Sequence, residues 1–288
     1  MLRTRLLVGS LLVGLAVGIL AGDVWLARWT ALAPFLLLTC LAGAVPATLE
    51  LVSLLPPPAP RAWLCALGVA VVLLANWPAH LTGAGDPWHW VLGALTGVLM
   101  GLFLWEAAWF QGPGGAVRRV SLAFWCVAYL GLLASFLVQL RWLPGGHGSA
   151  ALALAIFVPK CGDIGAYFTG TFLGRHRMAP LLSPKKTWEG AAGGLTGSLG
   201  AALAIRGLEA YLAPGVPLLT WPGAVAFGLV VGAVAQLGDL MESLIKRDCE
   251  RKDASHLLPG FGGVLDVLDS VLFSAPVAYW WLRMQPCG

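Results

Sequence analysis

The chain is organised around the stretch Gln236-Leu-Gly-Asp-Leu-Met-Glu-Ser-Leu-Ile-Lys-Arg247 and its continuation, Leu258-Pro-Gly-Phe-Gly-Gly-Val-Leu-Asp-Val-Leu-Asp269. Residues 236–269 hold seven of the fourteen acidic residues of the chain. Asp239 and Asp266 lie inside or at the edge of segments that are apolar enough to cross a bilayer. Because a charge inside a membrane costs free energy, such acids are candidates for function.

The composition outside this stretch defines the class of protein. The chain is 58% hydrophobic and 11% charged, with a mean hydropathy of +0.80, whereas a soluble domain carries about 25% charged residues. Because lipid cannot satisfy open backbone groups, such a chain is expected to form membrane-spanning helices. We predict an all-α, polytopic membrane protein. The six cysteines form no CxxC pair and are expected to be buried apolar residues.

At roughly 20 residues per span, the apolar segments predict about nine transmembrane helices. Segments rich in proline and glycine separate them. We expect residues 1–140 to form N-terminal transmembrane helices and residues 141–288 to form a C-terminal catalytic region. The predicted spans are 5–22, 30–53, 62–82, 87–110, 119–140, 149–173, 189–212, 222–245 and 264–283.

Basic residues are distributed unevenly between the two sides of these spans. With the N-terminus in the cytoplasm, thirteen lysines and arginines fall in cytoplasmic segments and four fall outside, while Lys160 lies within a span. Cytoplasmic loops of membrane proteins carry such an excess. We therefore predict a cytoplasmic N-terminus. Both unusual polar loops, residues 174–188 and 246–263, then face the cytoplasm, where nucleotides are available.

Two predicted helices carry acids with helical spacing. Asp239 and Ser243 are four residues apart and share one face, with Gln236 one turn earlier. Asp266 and Asp269 are three residues apart at the start of the last span. There they could simply complement the helix dipole, or they could join Asp239 in an oxygen-donor site suited to Mg²⁺. The glycines between the helices (Gly260, Gly262 and Gly263) would let a ligand approach the backbone.

Two further segments carry polar groups. The loop of residues 173–190 brings bases and hydroxyls together, which suits phosphate groups or, alternatively, anionic lipid head groups. Within the preceding span, Lys160 and Asp163 are close enough in sequence to pair and neutralise each other, and Tyr167 follows Asp163 on the same face. The loop's candidate residues are Arg175, His176, Arg177, Ser183, Lys185, Lys186 and Thr187.

These segments resemble the motifs of the phosphatidate cytidylyltransferase family, the CDP-diacylglycerol synthases. The resemblance is carried by Ser243-Leu-Ile-Lys-Arg247 with Lys252-Asp-Ala-Ser255, by residues 258–269, by Ser183-Pro-Lys-Lys-Thr-Trp-Glu-Gly190 and by Asp163-Ile-Gly-Ala-Tyr167. It covers residues 155–275 well. Two positions depart from the family pattern, because Phe261 and Val267 stand where the family has histidine and arginine. His256, Arg251 or a loop base would then have to replace those groups.

The resemblance implies CTP-dependent cytidylyl transfer to phosphatidic acid, giving CDP-diacylglycerol and pyrophosphate, in the cytoplasmic membrane of a bacterium with the active site facing the cytoplasm. It implies CTP, phosphatidic acid and membrane lipids as partners, no nucleic acid, and Mg²⁺ as cofactor. Asp239, Asp266 and Asp269 would hold the metal ion, with Lys246 as a further catalytic residue. The implied substrate-binding residues are Ser183, Lys185, Lys186, Thr187, Ser243, Arg247, Lys252, Asp163, Tyr167, Gly262 and Gly263.

Other functions fit parts of the pattern. Acids within the membrane also occur in ion-coupled transporters, although those acids would be expected near mid-span. A relative that uses another lipid, or an inactive relative, is suggested by Phe261 and Val267. The sequence leaves open whether a second cation such as K⁺ joins Mg²⁺, which acyl chains are preferred, whether dCTP is used, and whether the glycine-rich spans form a homodimer.

Overall fold

A computed structural model of the protein describes residues 2–26, 29, 32–83, 85–212, 217–255, 257–258 and 262–285. The chain is largely α-helical, with one short two-stranded hairpin in the described part. A five-residue π-helical turn, Ala128–Leu132, lies between α6 and α7. The elements are α1 Leu2–Leu26, α2 Pro34–Leu54, α3 Ala62–Leu74, α4 Pro78–Thr82, α5 Pro87–Ala108, α6 Ala116–Val127, α7 Leu133–Gln139, α8 Gly148–Leu173, β1 Arg177–Ala179, β2 Ser183–Thr187, α9 Trp188–Leu212, α10 Trp221–Asp248 and α11 Leu265–Arg283.

The prediction of an all-α polytopic membrane protein is confirmed. Each predicted span coincides with a helix or with consecutive helices. Seven candidate spans among the described residues are long and apolar enough to cross a membrane. Helices α9 and α11 are not among those seven. The count of nine spans and the cytoplasmic N-terminus remain predictions.

The chain divides into two compact units. The first unit contains residues 1–138 and 249–267, and the second contains residues 139–248 and 268–288. The polar segment 249–267, which carries the glycines and Asp266, therefore belongs to the first unit although it follows α10 in sequence. The predicted functional division at residue 140 concerns catalysis and remains a prediction.

Two carboxylates with defined partners connect helices of the first unit. Asp23 accepts hydrogen bonds from the backbone N–H groups of Phe35 and Leu36, at 3.1 and 2.8 Å, and so satisfies two orphan donors at the start of α2. Glu106 of α5 pairs with Arg119 of α6, with the Oε2 and Nη2 atoms 2.6 Å apart. This ion pair between two half-buried side chains connects α5 to α6.

Glycines allow the helices of the second unit to approach closely. A Cβ atom at Gly165 of α8 would lie 2.4 Å from the carbonyl oxygen of Gly193 of α9, and one at Gly197 would lie 2.5 Å from that of Cys161. Any larger residue would push the helices apart at these positions. Small residues are favoured at helix contacts in membranes for this reason. The close contact fixes the part of α8 that carries Lys160 and Asp163.

Candidate active site

Three carboxylates of the second unit form a compact cluster. Asp239 and Glu242 lie three residues apart on one face of α10, and Asp269 lies on α11. One oxygen from each group lies within 4.8 Å of the other two. Glu242 and Asp269 are only 1% and 4% exposed, whereas Asp239 is partly exposed. Such a set of oxygen donors fits a hard cation such as Mg²⁺.

Two lysines reach this cluster from different elements. The Nζ atom of Lys186, on β2, lies 2.8 Å from Oδ2 of Asp239. The Nζ atom of Lys246 lies 2.6 Å from Oε2 of Glu242, one turn earlier on α10. Both amines carry a point charge on a flexible stem, so each can bind either a carboxylate or a phosphate group.

A third lysine lies on the α8 side of the cluster. The Nζ atom of Lys160 lies 2.7 Å from Oδ2 of Asp163 and 3.8 Å from Oδ1 of Asp269. The hydroxyl of Ser270 donates to the same Asp163 oxygen at 2.9 Å. The backbone N–H of Ser270 donates to Oδ1 of Asp269 at 2.5 Å. The predicted pairing of Lys160 with Asp163 is confirmed, and Asp269 extends it.

The loop expected to bind phosphate forms the β1–β2 hairpin. Ser183 pairs with Ala179, and Lys185 and Lys186 are neighbours on β2, so their side chains leave opposite faces of the strand. Lys185 is exposed, while Lys186 reaches Asp239. Arg247 donates through Nε to the carbonyl oxygen of Leu182 at 3.2 Å and so ties the end of α10 to the hairpin.

The hairpin is anchored to the start of α9. Thr187 is buried, and its Oγ1 accepts a hydrogen bond from the backbone N–H of Gly190 at 3.1 Å. Glu189 lies in the first turn of α9 and outside the seven candidate spans; its carboxylate accepts from the backbone N–H groups of Arg175 and His176 at 3.0 and 3.2 Å. The Nδ1 atom of His176 lies 2.5 Å from Oε1 of the same carboxylate. Glu189 therefore ties the segment before the hairpin to the start of α9.

Two other predicted substrate-binding residues belong to helices of this unit. Tyr167, one turn after Asp163 on α8, is exposed and packs edge to face against Phe168. Ser243, next to Glu242 on α10, is buried. A phenol exposed on α8 is accessible to a ligand, whereas Ser243 would need a ligand that enters the protein interior.

Asp266 accepts hydrogen bonds of a different kind, from backbone N–H groups of the first unit. Its Oδ2 accepts from the backbone N–H of Gly263 at 2.6 Å and from that of Ala254 at 3.3 Å. Gly262 has a φ of +102°, and a Cβ atom there would lie 2.6 Å from the same Oδ2. The described glycines therefore allow close approach of a carboxylate to the backbone, where the sequence predicted close approach of a ligand.

Glu50 of the first unit contacts the same segment. It is 4% exposed on α2. Its Oε1 accepts from the Ser255 hydroxyl at 2.6 Å and from the Val264 N–H at 3.0 Å, and its Oε2 accepts from the Leu265 N–H at 2.9 Å. A Cβ atom at Gly263 would lie 2.5 Å from Oε2 of Glu50. Glu50 thus caps the start of α11.

Sequence reasoning and structure differ in the membership of the cluster. Glu242 was not predicted as a ligand, although its three-residue spacing from Asp239 was a readable signal. Lys252 is exposed in the first unit, and Val267 is half-buried at the start of α11. Phe261, together with His256 and Gly260, lies outside the described residues.

The fold and the site together define a class: a multi-span membrane protein with an oxygen-donor cluster flanked by lysines. Residues 3–285 match the sequence model of the Cytidylyltransferase family. A phosphatidate cytidylyltransferase of Synechocystis sp. is 34% identical over 246 residues, which are 75% of this chain and 76% of that protein. The chain therefore belongs to the cytidylyltransferase family and is a CTP-dependent nucleotidyltransferase. This assignment disfavours the ion-coupled transporter.

Two more relatives match shorter parts. A phosphatidate cytidylyltransferase of Mycobacterium bovis is 35% identical over 174 residues, or 60% of this chain, and the match spans about half (54%) of that protein. One of Brucella suis is 44% identical over 117 residues, which are 41% of each chain. Each of these relatives carries the same name as the family that the motifs resemble.

Proposed function

We propose that this protein transfers a cytidylyl group from CTP to phosphatidic acid and releases pyrophosphate. One observation supports the proposal above the others: Asp239, Glu242 and Asp269 lie within 4.8 Å of one another, with Lys186 and Lys246 in contact with two of them. A membrane enzyme that joins two polyanions needs acids for a divalent cation and bases for phosphates. The names of the relatives are consistent with this substrate pair.

The reaction requires little covalent chemistry from the protein. An oxygen of the lipid phosphate attacks the α-phosphorus of CTP in line, and the bond from that phosphorus to the bridging oxygen of the β-phosphate breaks. The pyrophosphate leaves with the electron pair of the broken bond. Because the nucleophile is already an anion, no serine nucleophile and no strong general base is required. Catalysis then depends on positioning and on charge stabilisation.

The side chains of the second unit would divide these tasks. Asp239, Glu242 and Asp269 would hold Mg²⁺, which when bound would offset the repulsion between the two substrates. Lys186 and Lys246 would orient phosphate oxygens of CTP or of the departing pyrophosphate. Lys185, Arg247, Ser183 and Tyr167 are proposed further contacts for the two substrates. Asp266 remains a predicted metal ligand from the sequence, and its Oδ2 accepts hydrogen bonds from the backbone of Gly263 and Ala254 in the first unit.

The proposed location is the inner membrane of a bacterium, with the active site facing the cytoplasm. The excess of basic residues in the predicted cytoplasmic segments supports this orientation. CTP is available on that side. Phosphatidic acid would enter from the bilayer, which agrees with a site formed by membrane helices.

A transfer assay tests the proposal directly. Purified protein is mixed with CTP labelled in the α-phosphate, phosphatidic acid and Mg²⁺, and label in the lipid fraction is measured. We expect labelled lipid that depends on both phosphatidic acid and Mg²⁺. Parallel reactions with diacylglycerol and with other lipid phosphates identify a different acceptor. If folded protein labels no lipid at all, the proposal is wrong.

A further inference from the structure

Lys160 is a cation within a predicted span, and its position requires an explanation. It follows Pro159 in α8, and its Nζ contacts acids from two helices, Asp163 at 2.7 Å and Asp269 at 3.8 Å. If Lys160 served only to neutralise Asp163, its contact with that residue on α8 would be sufficient. The additional contact with Asp269 connects Lys160 to the carboxylate cluster.

The hydrogen bonds of Asp163 show which role that acid has. Its Oδ2 accepts from both Lys160 and the Ser270 hydroxyl, at 2.7 and 2.9 Å. Because both donors bind the same oxygen, Asp163 holds the ammonium group close to Ser270. Ser270 follows Asp269 directly, and its N–H donates to Asp269 at 2.5 Å. Lys160, Asp163 and Ser270 therefore form a connected support for the Asp269 carboxylate.

The charges of the site indicate the role of the ammonium group. Asp163, Asp239, Glu242 and Asp269 place four carboxyl groups in one region of the second unit, and two of them, Glu242 and Asp269, are almost fully buried. Lys186 and Lys246 contact the cluster from the hairpin and from the end of α10. Lys160 approaches it from α8, where its Nζ is hydrogen-bonded to Asp163 and lies within ion-pair range of Asp269, at 3.8 Å. Without this amine, Asp163 and Asp269 would both lose the ammonium group beside them, which favours the uptake of a cation on this side of the cluster.

We propose that Lys160 is a positioning residue that supplies a fixed cation at the Asp163–Asp269 side of the cluster, so that the site holds one divalent cation per chain and needs no second metal ion. The sequence left open whether a second cation such as K⁺ joins Mg²⁺. The role given to Lys160 rests on the proposed function for the first metal ion. It predicts that a shortened or uncharged residue 160 creates a second cation site.

The test counts bound metal in the full-length protein. Wild type, Lys160→Met, Lys160→Arg and the matched control Lys185→Met are purified in lipid nanodiscs and dialysed against Mn²⁺ alone, and bound Mn²⁺ is measured by elemental analysis. We expect one Mn²⁺ per chain in wild type, K160R and K185M, and two in K160M. Two ions in wild type, or one ion in both K160M and K185M, would overturn the proposal. No bound Mn²⁺ in wild type would overturn it together with the metal part of the proposed function.

A second measurement does not depend on the metal count. Lys160→Ala leaves space for a small cation, so added NH₄⁺ or K⁺ should raise its transfer activity at least several-fold, while wild type should not respond. Li⁺ at the same ionic strength is the control for salt. Equal responses of wild type and K160A would contradict the proposal. If wild type labels no lipid but K160M still takes up a second Mn²⁺, the proposed substrates are wrong and the role of Lys160 stands.

Discussion

Carboxylates in the two units of this protein have different surroundings and different expected roles. In the first unit, the Glu50 carboxylate accepts three hydrogen bonds from a hydroxyl and two backbone N–H groups. In the second unit, Asp239, Glu242 and Asp269 face one another and are paired with lysines. An acid surrounded by fixed neutral donors stabilises a backbone conformation. Acids that face one another and contact the flexible side chains of Lys186 and Lys246 can exchange these partners for a metal ion, and the lysines can then bind a phosphate.

The largest effect is expected from Asp269→Asn in the second unit. The amide removes a negative ligand from the cluster, so transfer activity should fall on the order of 10²–10³-fold. Thermal unfolding should stay unchanged or shift upward, because the substitution also removes repulsion between neighbouring carboxylates. Both quantities can be measured on the same detergent preparation. Full activity of folded D269N would exclude Asp269 from the metal site.

The contrast between the two sets could be read from the sequence only in part. Helix positions and the polar segments followed from apolar runs and from proline and glycine. Asp266 and Asp269 were grouped because they are three residues apart, but Asp266 is bound by the N–H groups of Gly263 and Ala254. Spacing along a helix fixes which face a residue shares, and it does not fix the partners that the rest of the chain brings to each residue.

Glu242 and Glu50 are two acids whose surroundings in the structure could not be predicted from their spacing in the sequence. The four-residue spacing of Glu242 and Lys246 is typical of an ordinary surface ion pair, yet Glu242 is 1% exposed. Glu50 binds residues that lie more than two hundred positions later in the chain. Neither burial nor such distant contacts leave a local signal in the sequence.

The second largest effect is expected from Glu50→Ala in the first unit, on stability. Two backbone N–H groups at the start of α11 and the Ser255 hydroxyl would lose their acceptor. We therefore expect a loss of about 2–4 kcal/mol in the free energy of unfolding. Denaturant unfolding measures this loss. Binding of Mn²⁺ by the folded fraction should remain at one ion per chain. Normal stability combined with lost Mn²⁺ binding would place Glu50 in the metal site and remove the contrast between the two sets.

A smaller effect, on kcat/KM for CTP, is expected from replacing each of two neighbouring lysines on β2. Lys186 contacts Asp239, whereas Lys185 is exposed on the opposite face of the strand. We expect Lys186→Met to lower kcat/KM for CTP by about 10–100-fold, since a point charge is lost at a phosphate-binding position. Lys185→Met should cause a smaller decrease, and steady-state kinetics with CTP as the varied substrate compares them. A larger loss in K185M than in K186M would assign the phosphate contact to the other face of the hairpin.

The smallest effect concerns the close contact between Gly263 and Glu50. A Cβ atom at residue 263 would lie 2.5 Å from Oε2 of Glu50, so Gly263→Ala should destabilise the protein by about 1–2 kcal/mol. In the Glu50→Ala background the carboxylate is gone, and the same substitution should then cost markedly less. A double-mutant cycle in denaturant measures this coupling between neighbouring residues. Additive effects of the two substitutions would mean that the backbone of residue 263 is restricted by something other than Glu50.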